Sequence, residues 1–354
     1  MNFFRRLAFS PALLAFALSA PAKDLTIAAD GSGDFKTVQP AIDSLPDGNT
    51  EPVRLLIKPG KYVEYLTITK GRDHVTLVGL GARPADTVLS YHYKASDPRT
   101  ADFKGAGNSN AARGAAPNVG TTGSSSTTVD ANDFTAENLT FENSAGDNVG
   151  QAVALKTNGD RLVFRHCRFL GFQDTLYPAG GGRVYFQDCY VTGDTDFIFG
   201  NATAVFDHCT INATDAKLNY YTAANTSPRT PYGYVFLDCK LTAGPGVADG
   251  AVYLGRPWQW NSGSKAAVAY IRCQMGPHVN PLGWHPWGPN NDHPENNTRY
   301  SEFGSTDAAG QPLDVSKRVA WAPQLTAEQA AIYTPEKILA GTDRWNPTAV
   351  GAAR

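Results

Sequence analysis

Cysteine is scarce in this chain, and its placement excludes several roles. There are five among 354 residues, the first is Cys167, and no two form a C-x-x-C pair. That argues against a zinc site. No cysteine lies near the N-terminus to accept a lipid. No G-x-S-x-G segment occurs, which disfavours a serine hydrolase of the nucleophile-elbow type. After Leu18 no long apolar run recurs, so no membrane span is expected. Excess positive charge is lacking too. There are 33 acidic against 31 basic residues, a balance that argues against nucleic acid as a partner.

The chain opens like an exported protein. Arg5 and Arg6 form a positive end, Leu7 to Leu18 are mostly apolar, and Ala20-Pro21-Ala22 offers a small-residue cleavage site. The expected division is a signal peptide over 1–22 and one catalytic domain over 23–354. A secreted, extracellular and monomeric protein is expected.

Gly, Asn, Thr, Asp and Tyr are plentiful, which suits strands and turns. Five segments repeat one pattern: FRHC (164–167), FQDC (186–189), FDHC (206–209), FLDC (236–239) and YIRC (270–273). Gln151 and Gln173, Asp174 and Asp196, and Cys167 and Cys189 are each 22 residues apart. A period in the low twenties is the mark of a solenoid. In a parallel β-helix, residues one turn apart lie about 4.8 Å from each other on neighbouring strands. The cysteines would then share one interior position as small buried hydrophobes. An exported chain also permits a bridge between adjacent turns, and spacing allows both Cys167–Cys189 and Cys189–Cys209.

Leu25 to Ala28, Arg54 to Lys58 and His74 to Gly79 read as strands. Val38 to Leu45 has helical spacing and could cap the open end of the solenoid. Residues 96–124 read as a long loop before the Ser/Thr run at 121–128. The spacing between repeats widens after Cys209, where inserted loops could build a cleft. A helix is predicted over Thr326 to Leu339, with Thr326 as its N-cap.

Four segments carry chemistry: QAVAL (151–155), GFQDTLY (171–177), GDTDFIFGNA (193–202) and LGRPW (254–258). The period brings Gln151, Gln173, Asp174 and Asp196 to one patch. Carboxylates beside Phe197, Ile198 and Phe199 need a partner, and Arg256 can grip one with two parallel hydrogen bonds. Two close carboxylates have their pKa values driven apart, which yields a nucleophile or base beside an acid. Two glutamine amides aimed at one point could hold a developing oxyanion. An amide ladder, turn aspartates and a structural corner at LGRPW are the plainer alternatives.

Together these segments, with GKYVE (60–64) and the Ser/Thr run, resemble the signature set of the pectinesterases, of the bacterial secreted type. The resemblance runs from about Leu25 to Trp345-Asn346-Pro347. It implies an all-β, single-domain right-handed parallel β-helix, with a short N-terminal capping helix and a C-terminal helix. It implies hydrolysis of galacturonate methyl esters in pectin, with pectin as partner and no metal or organic cofactor. By motif, Asp196 is the nucleophile, Asp174 the acid and later the base, Gln151 and Gln173 the oxyanion hole, and Arg256 the residue that orients Asp196. Trp258, Tyr177 and Phe199 resemble sugar-contacting aromatics. The resemblance also favours Cys189–Cys209 as a disulfide. Thr195 departs from the apolar residue common before the nucleophile. A β-helix polygalacturonase is the alternative, but its Gly-His-Gly and Arg-Ile-Lys segments are missing.

Overall fold

The computed structural model describes residues 22–101, 103, 117–214, 219–258, 263–288, 296 and 298–349. Apart from Ala22, the expected leader lies outside them, as do residues 104–116. Three sheets run the length of the molecule, with ten, eight and six strands, and every pair within them is parallel. Strands neighbouring in space are separated by whole turns in sequence. The chain is a right-handed parallel β-helix.

The ten-stranded sheet explains the repeat. Phe164, Phe186, Phe206, Phe236 and Tyr270 are in register on successive strands. Their rings stack inside the coil at 5.1, 4.6, 4.6 and 4.5 Å between centroids. Each pattern thus delivers one interior aromatic per turn, and offset stacking adds to what burial contributes. The period is not uniform. Register offsets are 22 residues for Phe164 to Phe186, 20 to Phe206, 30 to Phe236 and 34 to Tyr270, the excess being taken up in loops.

The cysteine ladder exists, but the expected Cys189–Cys209 disulfide does not. All five cysteines are buried free thiols. Each sulfur donates to a carbonyl one turn back: Cys189 to Phe164, Cys209 to Phe186, Cys239 to Phe206 and Cys273 to Phe236, at 3.2–3.5 Å. The stack satisfies the thiols along the helix axis without joining them.

The predicted strands appear as Lys23–Ile27, Val53–Ile57 and Val75–Gly79. The N-terminal helix is shorter than predicted, Val38–Asp43, and buries Val38, Ala41 and Ile42 in the main core. Thr37 does not cap it; the Glu64 carboxylate accepts from the amides of Val38 and Gln39 instead. The predicted C-terminal helix is two short ones, Ala327–Ala330 and Pro335–Leu339. Thr326 caps the first, and Pro335 opens the second under Thr334, because proline suits a first turn and not an interior. Ile338 and Leu339 lie on the outer side of the ten-stranded sheet against Val163, Tyr185 and Val205. That cover makes strands such as Tyr234–Leu237 buried on both faces.

Candidate active site

The six-stranded sheet forms the floor of the site. Its middle strands are Leu155–Thr157, Leu176–Pro178, Ile198–Gly200 and Thr222–Ala224. Leu176 pairs with Ile198, an offset of 22, so Asp174 and Asp196 hold equivalent places just before their strands. The Asp174 amide donates to the Thr195 carbonyl, and the Ala152 amide to the Gln173 carbonyl, so these corners stack turn on turn. Leu155 pairs with Leu176, an offset of 21, and Gln151 is therefore one residue out of step with Gln173. Asp174 and Asp196 both adopt left-handed backbone, φ 65° and 53°, which aspartate tolerates better than most residues.

Both carboxylates are buried, at 7% and 6% exposure. Arg256 grips Asp196 with Nε on one oxygen at 2.8 Å and an Nη on the other at 2.7 Å. The guanidinium is itself held between two rings, 4.0 Å from the centre of Tyr220 and 4.4 Å from Trp287. Burial pushes the Asp174 carboxyl well above the usual range, the Asp196 charge pushes it further, and Arg256 pulls it back. Burial also raises Asp196, but the two Arg256 bonds oppose it directly. Burial alone would lower the Arg256 pKa, and the Asp196 bonds override it. Asp196 therefore ionises before Asp174, giving an anion beside an acid.

A cleft of about 710 Å³ lies over these groups, lined by Gln151, Gln173, Asp174, Asp196 and Arg256, and by Tyr177, Phe199 and Trp258. All eight residues singled out for chemistry or sugar contact thus meet in one place. Tyr177 stacks on Phe199 at 4.1 Å, and Trp258 stands edge-on to both at 6.4 and 5.8 Å. The result is an apolar platform beside a charged centre.

Sequence reasoning missed Tyr220, Trp287 and Lys156, all set against the site. Nothing local distinguishes Tyr220 or Trp287; Tyr220 comes from the short strand Asn219–Tyr220, paired with Val252–Tyr253 outside the three main sheets, and Trp287 from a loop. Lys156 directly follows QAVAL on an outward position of a strand, a signal that was present. Asp194 is buried as well, and burial raises its pKa. Elsewhere, Asp207, His208 and Asp238 are the one group among the described residues whose ligand atoms could meet around a metal ion. Their atoms are engaged already, with Tyr185 on Asp207 and Arg272 on Asp238.

A family model for pectinesterases matches residues 24–342. The chain is 38% identical to Pectinesterase 31 of Arabidopsis thaliana, covering 89% of this chain and 91% of that one. It is 32% identical to Pectinesterase QRT1 of the same plant, covering 89% and 77%. Among solved structures it is similar to the pectin methylesterase from carrot, with a TM-score of 0.77 and 28% identity over 95% of this chain and 98% of that one. The pectin methylesterase PemA from Erwinia chrysanthemi gives 0.73 and 29% over 93% and 99%.

Proposed function

We propose, from the premise that this chain belongs to the pectinesterase family, that its carboxylate pair performs the family's ester hydrolysis in two half-reactions. The chain is a carboxylic ester hydrolase that demethylates pectin, releasing methanol and leaving free galacturonate. In the first half, the ionised Asp196 attacks the ester carbonyl carbon. The carbonyl oxygen gains negative charge, and the amides of Gln151 and Gln173 donate to it. As the tetrahedral centre collapses, the C–O bond to methoxide breaks, and Asp174 gives that oxygen its proton. Methanol leaves, and the galacturonyl group is held as an anhydride on Asp196. In the second half, the Asp174 carboxylate takes a proton from water, and the water oxygen attacks the same carbon. Free galacturonate forms, and Asp196 returns to the anion that Arg256 holds.

The single observation that carries this reading is the asymmetric pair. Two buried carboxylates sit one turn apart, and only one is clamped by an arginine. The polygalacturonase alternative is not favoured. The test is to incubate the protein with methylated pectin and follow methanol, carboxylate, chain length and unsaturated ends together. Methanol and carboxylate should appear in equal amounts with little loss of length, and a chelator should not stop them. Rapid shortening of demethylated pectate would overturn the reading.

Export is also part of this proposal. The leader-like residues 1–22 support it, and among the described residues no helix is long and apolar enough to cross a membrane. A monomer is proposed for this chain.

A further inference from the structure

Lys156 is out of keeping with its surroundings. It is buried at 9% exposure, yet it lines the cleft. Among the described residues its ammonium has no hydrogen bond and no ion pair; its close neighbour is the Tyr177 ring, 5.5 Å away. Asp130 is the acid whose charge reaches it, but Asp130 accepts from the Asn158 amide at 2.6 Å and does not pair with the lysine. Burial lowers the Lys156 pKa, and Asp130 opposes that shift. The Lys156 stem is buried and its ammonium opens on the cleft with no partner of its own among the described residues, so a counter-charge on a ligand can reach it.

The cleft contains one other cation among its described lining residues, Arg256, and Asp196 occupies it. Lys156 is thus the positive charge left for a ligand. On a galacturonan chain, methyl esters are neutral and the free carboxylate is the anionic group. The position of Lys156 is also separate from the reacting centre. It is in register with Tyr177, whose ring stacks on Phe199 one strand further on. Asp174 and Asp196 each precede that row by three residues, at most about 10 Å along the strand direction. The ionised Asp196 repels a free carboxylate at the centre, whereas Lys156 attracts one beside it.

We propose that Lys156 binds a free galacturonate carboxylate of a partly demethylated chain, away from the ester under attack, and so sets a preference for pectin that already carries free acid. This rests on the pectin-demethylating reading above. It makes Lys156 a specificity residue and not a catalytic one.

The test compares two homogalacturonan substrates, one fully esterified and one about half de-esterified, by initial rates of methanol release. In the Lys156→Met protein the ratio of KM on the half de-esterified chain to KM on the fully esterified chain should rise about tenfold or more, with kcat moving less than KM. Lys156→Arg should keep the ratio within about threefold, because it keeps the charge. Added salt should move the wild-type ratio towards that of the Met variant. An unchanged ratio in a folded Met variant overturns the inference, as does an equal rise in both KM values. A Met variant that fails to fold also overturns it, because the ammonium would then be a structural partner. If the wild type releases no methanol from either substrate, the demethylating reading has failed, and not the role of Lys156 alone.

Discussion

Two corners of the β-helix use the same backbone device for opposite ends. At the corner before each cysteine, a left-handed residue turns the chain: His166, Asp188, His208, Asp238 and Arg272, with φ between 50° and 54°. Their side chains face water or are half-exposed, and the next residue, the cysteine, points into the core. At the corner before the six-stranded sheet, Asp174 and Asp196 make the same left-handed turn. Here the side chains are buried under Arg256, Tyr177, Phe199 and Trp258. An aspartate at the first corner is solvated turn chemistry. At the second it is desolvated and coupled to its neighbour, and its pKa moves. The residue type and backbone are shared, and the surroundings alone shift the charge state of one of them.

The contrast breaks most sharply at Asp196. Asp196→Asn keeps the shape of the corner and removes the proposed attacking oxygen, so kcat should fall by about 10³-fold or more while substrate still binds. Methanol release with saturating pectin measures it, and a variant working at full speed would remove Asp196 from the mechanism.

Asp174→Asn should lower kcat by about 10²- to 10⁴-fold, because methoxide leaves poorly without a proton donor. It should also stabilise the fold near pH 7. The folded protein holds the Asp174 proton above the ordinary value of 3.8. The stability this group gives is whole below that value and is lost as pH rises through the raised one. The gain in Tm from Asp174→Asn should therefore appear at pH 7 and vanish near pH 3.

Gln151→Ala and Gln173→Ala test the wall around the reactive corner. Loss of one oxyanion donor should cost about 3 to 4 kcal/mol, seen in kcat more than in KM. A change in KM alone would make the amide a substrate contact.

Arg256→Lys keeps a charge but loses the two-pronged grip and its fit between Tyr220 and Trp287. Turnover should drop about 10- to 100-fold, on the scale of one or two charge-assisted bonds. The acidic limb of the kcat profile should move upward, since Asp196 would lose part of what opposes its burial. An unmoved limb with normal turnover would reduce Arg256 to a corner residue.

The smallest effect belongs to the exposed corner. Asp188→Gly removes a left-handed non-glycine residue whose side chain makes no hydrogen bond among the described residues, and should shift stability by no more than about 1 kcal/mol. Activity should stay within about twofold. A large loss would show that the two corners are coupled through the core.

The sequence by itself determined the periodic part of this protein. A solenoid repeats one environment per turn, so the aromatic-x-polar-Cys pattern announced the Phe164-to-Tyr270 stack and the interior cysteines. The offset of 22 places Asp174 over Asp196, because parallel strands align residues one turn apart. Only the tertiary structure decided what breaks the period. The offset of 21 sets Gln151 out of step with Gln173. The thiols bond along the axis to carbonyls and not to each other. Tyr220, on a two-residue strand paired outside the three main sheets, and Trp287, on a loop, reach Arg256 from segments that the repeat does not constrain. Lys156 reads as an ordinary outward strand residue until Tyr177 and the walls of the cleft bury it. Spacing along a chain fixes which residues stack. Desolvation, and hence charge state and reactivity, depends on everything that packs above them from distant sequence.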